Sequence, residues 1–278
     1  MTSRIVPRAS RILVFDSGLG GLTVLAEIVA ARPDADIVYA ADDAFFPYGA
    51  LSEDALVARV REAVAALIGA HAPDLVVIAC NTASTLVLAP LRAAFPDLPF
   101  VGTVPAVKPA AEASRSGLIS VLATPGTVER DYTRALVRDF AGACEVELVG
   151  SAHLAALAER RLRGEAIDES EIARELAPCF IERDGRRTDQ IVLACTHFPL
   201  LISYFTRLAP WPVTFVDPAP AIARRVGSLA GAGGPAGEAA RPFAAFFTSG
   251  RPPSEALRKA LRRLGLTATS AAKSAAAD

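Results

Sequence analysis

The chain alternates between short apolar runs and longer stretches in which apolar residues recur every three or four positions, as buried strands followed by amphipathic helices do. The runs Ile12-Leu13-Val14-Phe15, Val76-Val77-Ile78, Ile119-Ser120-Val121-Leu122 and Ile191-Val192-Leu193 are nearly continuous rather than alternating. Such runs predict strands covered on both faces, hence parallel sheets with helices on either side. Helices are expected at 22–31, 83–92, 128–140 and 199–208. The predicted fold class is α/β, with doubly wound parallel sheets.

Two of these strands end alike, in Ile78-Ala79-Cys80-Asn81-Thr82 and in Leu193-Ala194-Cys195-Thr196-His197. A strand that releases its chain into a helix at a cysteine puts that sulfur at the carboxyl edge of a sheet. There the first amides and positive end of the helix favour thiolate over thiol. Upstream of each cysteine lies another strand-turn-helix, through Asp16-Ser17-Gly18-Leu19-Gly20-Gly21 and through Ala123-Thr124-Pro125-Gly126-Thr127. Asp16 precedes Cys80 by 64 residues and Thr124 precedes Cys195 by 71. Order, element type and spacing agree, which predicts two α/β domains of similar architecture related by a pseudo-twofold, with the active site between them. Any α/β protein has several strand-to-helix turns, so the paired cysteines carry this reading.

Composition narrows the chemistry. At 278 residues the chain fits one large or two ordinary domains. A net charge of −1 with both signs interspersed gives no nucleic-acid footprint, and the arginines of 258–263 read as one solvated helix face. No apolar run reaches the roughly 18 residues of a membrane helix, and the polar opening 1–10 does not read as a signal peptide. No membrane partner and a cytoplasmic location are therefore expected. Cys80, Cys144, Cys179 and Cys195 form no Cys-x-x-Cys pair and have no His at zinc spacing, so no metal is expected and the thiols read as free. Cys144 and Cys179 lack the strand-end setting and read as packing residues.

Three lysines stand against 26 arginines, and Lys108 alone lies in the body of the chain, in no setting that suits a Schiff base. Gly-Lys-Ser/Thr is missing, and Gly18-Leu19-Gly20-Gly21 lacks the Gly-x-Gly-x-x-Gly spacing of a dinucleotide loop. The glycines read instead as a tight turn with exposed amides. No cofactor is expected. The reaction that two opposed thiols suit is stereoinversion at carbon, one sulfur removing a proton from one face and the other returning one to the opposite face. Ser17, Asn81, Thr82, Thr124 and Thr196, with the nearby helix amides, are candidate donors to a carboxylate substrate.

At these residues the chain resembles the aspartate/glutamate racemase superfamily, its glutamate racemases in particular. The resemblance runs from residue 12 to about 250. It is carried by Asp16-Ser17-Gly18-Leu19-Gly20-Gly21-Leu22-Thr23-Val24, Phe46-Pro47-Tyr48-Gly49, Ala79-Cys80-Asn81-Thr82-Ala83-Ser84 and Ala194-Cys195-Thr196-His197-Phe198-Pro199-Leu200, with weaker support from 123–128 and 246–250. It implies a cofactor-independent isomerase that interconverts L- and D-glutamate and supplies D-glutamate for peptidoglycan synthesis and cell-wall biogenesis. Cys80 and Cys195 are then the acid/base pair, with Asp16 and His197 assisting. The residues expected to bind the substrate are Asp16, Ser17, Tyr48, Gly49, Asn81, Thr82, Thr124, Thr127, Thr196 and His197.

Plainer readings stand beside these. Asp16 could be a helix cap and Tyr48 a turn aromatic. The resemblance offers Glu159 as a group supporting one cysteine, although the preceding segment Gly150-Ser151-Ala152-His153-Leu154 departs from the family pattern. A charged helix residue beside Arg160 and Arg161 is the equal alternative. Other functions compatible with the sequence are a racemase for another amino acid such as aspartate, a non-catalytic regulatory or binding protein on the same scaffold, and a cysteine hydrolase. The domains are expected to comprise 1–103 plus 216–266, and 104–215, with a flexible loop at 231–237 and a disordered tail at 267–278. A homodimer stays open.

Overall fold

The computed structural model describes residues 10–230 and 243–269. Twelve strands occur among them: β1 (Arg11–Asp16), β2 (Asp36–Ala41), β3 (Leu75–Ile78), β4 (Phe100–Gly102), β5 (Leu118–Ala123), β6 (Glu145–Gly150), β7 (Glu182–Arg183), β8 (Arg186–Arg187), β9 (Gln190–Ala194), β10 (Thr214–Val216), β11 (Phe243–Phe247) and β12 (Leu266–Thr269). A six-stranded parallel sheet has the order β12-β11-β2-β1-β3-β4, and a four-stranded parallel sheet has the order β10-β9-β5-β6. The pairing repeats between them: β2-β1-β3-β4 in the first corresponds to β6-β5-β9-β10 in the second.

The continuous apolar runs follow from burial on both faces. In β1, Ile12 and Val14 point into a core closed by helices Gly21–Ala31, Ala219–Leu229 and Glu255–Arg263. Leu13 and Phe15 point the other way, under helices Glu53–His71 and Asn81–Ala94. The second sheet repeats this arrangement. Ile191 and Leu193 face helices Leu154–Leu162, Glu169–Leu176 and Ile202–Leu208, while Val192 and Ala194 face the opposite core beside Val107–Ala113. Cys144 and Cys179 pack in the cores of the second sheet. The sole tryptophan, Trp211, also belongs here; its indole Nε1 donates to the Thr188 carbonyl at 2.8 Å and its ring meets the edge of Phe180.

Several expected boundaries move. The helix expected over 128–140 is two, Pro125–Glu129 and Asp131–Phe140, parted at Arg130. The helix expected from 199 begins as a 3₁₀ turn, Phe198–Leu201, and becomes α-helical only at Ile202. Strand β12 takes in 267–269 from the stretch expected as a tail; the rest of that stretch and the expected loop at 231–237 lie outside the described residues. No helix among the described residues is long and apolar enough to cross a membrane.

Candidate active site

The carboxyl ends of β1 and β3 hold Asp16 and Cys80, and those of β5 and β9 hold Thr124 and Cys195. On the first side, Asp16 is fully buried and accepts the amides of Gly18 (3.2 Å) and Gly21 (2.8 Å), so it fixes the turn into helix Gly21–Ala31 as a cap would. It also lies near the first cysteine: Ser17 Oγ lies 3.5 Å from Asp16 Oδ1 and 3.5 Å from Cys80 Sγ. Burial raises the Asp16 pKa above the ordinary carboxylate value, against the opposing pull of His197.

Cys80 caps the start of helix Asn81–Ala94, as the sequence suggested. This end does favour thiolate, through the Ala83 amide, but it does not prevail. Burial and the Asp16 charge push the Cys80 thiol up to about 12, outweighing the Ser17 hydroxyl and the Ala83 amide, which both favour the anion.

On the second side no α-helix begins at Cys195, and the positive group beside the sulfur is a side chain. His197 Nδ1 stands 3.9 Å from Cys195 Sγ, and Nε2 lies 3.0 Å from Glu159 Oε1. Burial opposes charge on this imidazole, but the contacts with Cys195 and Glu159 prevail and set its pKa well above the usual histidine value. Glu159 is held below the ordinary carboxylate range. Burial works to raise it, and the His197 contact, the Leu19 amide at 2.6 Å and Arg163 at 3.2 Å overcome that. Of the two readings of Glu159, the geometry favours the one that joins it to a cysteine, through His197.

The glycines of the first turn serve this junction. A side chain at Gly18 would collide with Glu159, and one at Gly20 with the His197 ring. The Gly20 amide approaches His197 Nε2 at 3.1 Å, and Thr23 Oγ1 donates to the Thr196 carbonyl at 3.1 Å. The cluster is therefore a place of close approach between the two sheets' loops, and phosphate binding is not needed to explain it.

Three hydroxyls meet across the cleft: Thr82 Oγ1 lies 3.1 Å from Thr124 Oγ1 and 3.3 Å from Thr127 Oγ1, with Thr124 and Thr127 2.9 Å apart. Asn81 is buried beside Cys80, and neither its amide nitrogen nor its amide oxygen has a hydrogen-bond partner. An unsatisfied buried amide costs about 1–3 kcal/mol unless something pairs with it. Tyr48 is buried. Its hydroxyl donates to Asp42 at 2.6 Å, in a cluster with Arg59 and Thr248, so the ring is fixed in the wall and the hydroxyl is already engaged. Gly49 is exposed.

Sequence reasoning passed over Tyr39, whose hydroxyl donates to the Gly18 carbonyl at 2.7 Å, and Arg163 and Asp42. For Arg163 a signal existed, since it stands four residues after Glu159 on one helix face. Tyr39 lies within an apolar strand run that gives no such sign.

The chain is similar to known proteins over most of its length. The model of the Asp/Glu/hydantoin racemase family matches residues 15–226. A glutamate racemase of Brucella canis is 57% identical over 256 residues, covering 92% of each chain. The crystal structure of Escherichia coli glutamate racemase with L-glutamate and the activator UDP-MurNAc-Ala superposes with a TM-score of 0.85 at 42% identity, over 94% of this chain and 97% of that one. A glutamate racemase isoform of Bacillus anthracis, RacE1, gives a TM-score of 0.77 at 27% identity over 96% and 99% of the two chains.

Proposed function

The chain belongs to the Asp/Glu/hydantoin racemase family and is an isomerase, and on that premise we propose that it interconverts L- and D-glutamate through Cys80 and Cys195 without a cofactor. The observation that carries the mechanism is the opposite electrostatic setting of the two thiols. Cys195 faces an imidazole that holds its proton, backed by an ionised Glu159, while Cys80 faces the carboxyl of Asp16. One sulfur has an imidazole beside it and the other a buried carboxyl within reach of a serine, so the two thiols are unequally placed for the roles of base and acid.

In one direction the Cys195 thiolate takes the α-proton and becomes a thiol. The Cys80 thiol gives its proton to the opposite face of the carbanion and becomes a thiolate. The enantiomer runs the same steps backwards, so a forward and a reverse turnover restore the starting protonation. The Asp16–Ser17 chain offers Cys80 a polar route for a proton. Asn81 and the hydroxyls of Thr82, Thr124 and Thr127 supply the polar contacts that a substrate with two carboxylates and an ammonium group requires. D-glutamate made this way would serve peptidoglycan synthesis.

Circular dichroism of L- and of D-glutamate in deuterated buffer tests the reading. Optical signal should decay from both sides with deuterium entering the α-carbon, and Cys80→Ala and Cys195→Ala should each lose about 10²–10⁴-fold in rate. Activity on aspartate alone would move the substrate and keep the mechanism; a fully active single-cysteine variant would end it.

A further inference from the structure

Both cysteines are buried, Cys80 at 6% exposure and Cys195 at 7%, so little of either residue is open to solvent. Where the two sheets' loops meet at the surface lies a cavity of about 610 Å3, lined by Gly49, Ser52, Glu53, Thr85, Arg130 and Tyr132 among others. Its wall contains one side chain that bridges the cleft. Arg130, in the break between helices Pro125–Glu129 and Asp131–Phe140, donates to the Thr82 carbonyl and to Thr85 Oγ1, both on the first turns of the helix that Cys80 caps. Its Nε also stands 3.4 Å from Glu53 Oε1, at the start of helix Glu53–His71.

We infer that Arg130 is a positioning residue that clasps the Cys80 helix across the cleft, and that its ion pair with Glu53 must open for substrate to pass from this cavity to the thiols. The two ends of the clasp differ in the way such a device needs. The contacts to Thr82 and Thr85 are shielded, with the Arg130 side chain 11% exposed, and they hold a planar guanidinium in place through charge-assisted bonds. The Glu53 side chain is 66% exposed, and ion pairs open to water form and break with little change in free energy. Burial works against the guanidinium's charge, and Glu53 and the Cys80 sulfur favour it, so the cation also lies within electrostatic reach of the acid/base residue. Arg130 thus joins substrate entry to the alignment of Cys80. The proposal takes its substrate from the racemase reading, but not its test.

The test is the rate at which iodoacetamide alkylates each cysteine, followed by peptide mass spectrometry, in the wild type, Glu53→Gln and Arg130→Lys. Both substitutions leave the positive charge beside Cys80, so changes in rate report access. Glu53→Gln should speed Cys80 alkylation about three- to tenfold, and Arg130→Lys, which loses the fork, at least as much. Cys179, fully buried in a core away from the cleft, should keep its slow rate. In racemisation assays KM and kcat of Arg130→Lys should both change, since entry and alignment share this residue. Equal acceleration of Cys80 and Cys179 would reveal a stability bolt and overturn the proposal, as would unchanged Cys80 in both variants. Because alkylation needs no turnover, a protein inactive on glutamate could still show the clasp, and an active one could lack it.

Discussion

Asn81 is the residue whose setting most separates stability from function. An amide buried with neither atom paired weakens the fold, and substituting an apolar group of similar size removes that cost. Asn81→Leu should therefore raise stability by about 1–3 kcal/mol, seen as a thermal midpoint higher by about 2–4 °C per kcal/mol, while glutamate turnover falls about 10²-fold. A variant both less stable and fully active would remove Asn81 from the site. The His197–Glu159 pair makes a second prediction, in pH. Glu159 sits below its ordinary value of 4.5, so its contribution is present above that pH and is lost as pH falls through the lowered value. His197 sits above its ordinary value of 6.5, so its contribution is full below 6.5 and is lost as pH rises through the raised value. Glu159→Gln should flatten the acid side of a plot of urea midpoint against pH and bring the alkaline loss to lower pH. Curves of identical shape would mean that the pair is not charged in the folded protein.

Among the elements, the turn from β1 into helix Gly21–Ala31 is the most constrained, because His197 occupies the space that a side chain at position 20 would need. Gly20→Ala should displace the ring from Cys195 and reduce turnover at least tenfold. Gly69→Ala, with open space at its Cβ in helix Glu53–His71, should gain about 0.5–1 kcal/mol and leave turnover alone. Equal activities in the two variants would show that the turn does not hold the histidine. The strands carrying Asp16, Cys80, Thr124 and Cys195 were legible in the sequence, since burial on two faces demands uninterrupted apolar residues. The break at Arg130 was not, because Val128-Glu129-Arg130-Asp131 contains neither glycine nor proline. The hairpin β7–β8 turns on Asp184 and Gly185, both at positive φ, a local signal that a search for apolar periodicity does not weigh. The His197–Glu159 contact and the engagement of Tyr48 by Asp42 were hidden for another reason: each joins separate elements, and spacing along the chain carries no trace of it.

At the scale of the whole molecule, the repeated pairing pattern places equivalent strand ends opposite one another, so that each sheet contributes one sulfur and one polar turn. The likeness stops at the electrostatics, where the Cys195 side has an imidazole beside the sulfur and the Cys80 side a buried carboxyl. The halves are also optically unequal. Trp211, the only indole in the chain, is held in the four-stranded half by Thr188, Phe180 and the overlying Arg187. Selective excitation of its fluorescence thus watches one half melt in silence from the other, while far-ultraviolet dichroism watches both. The protein carries its own label for asking whether its two halves come apart together or in turn.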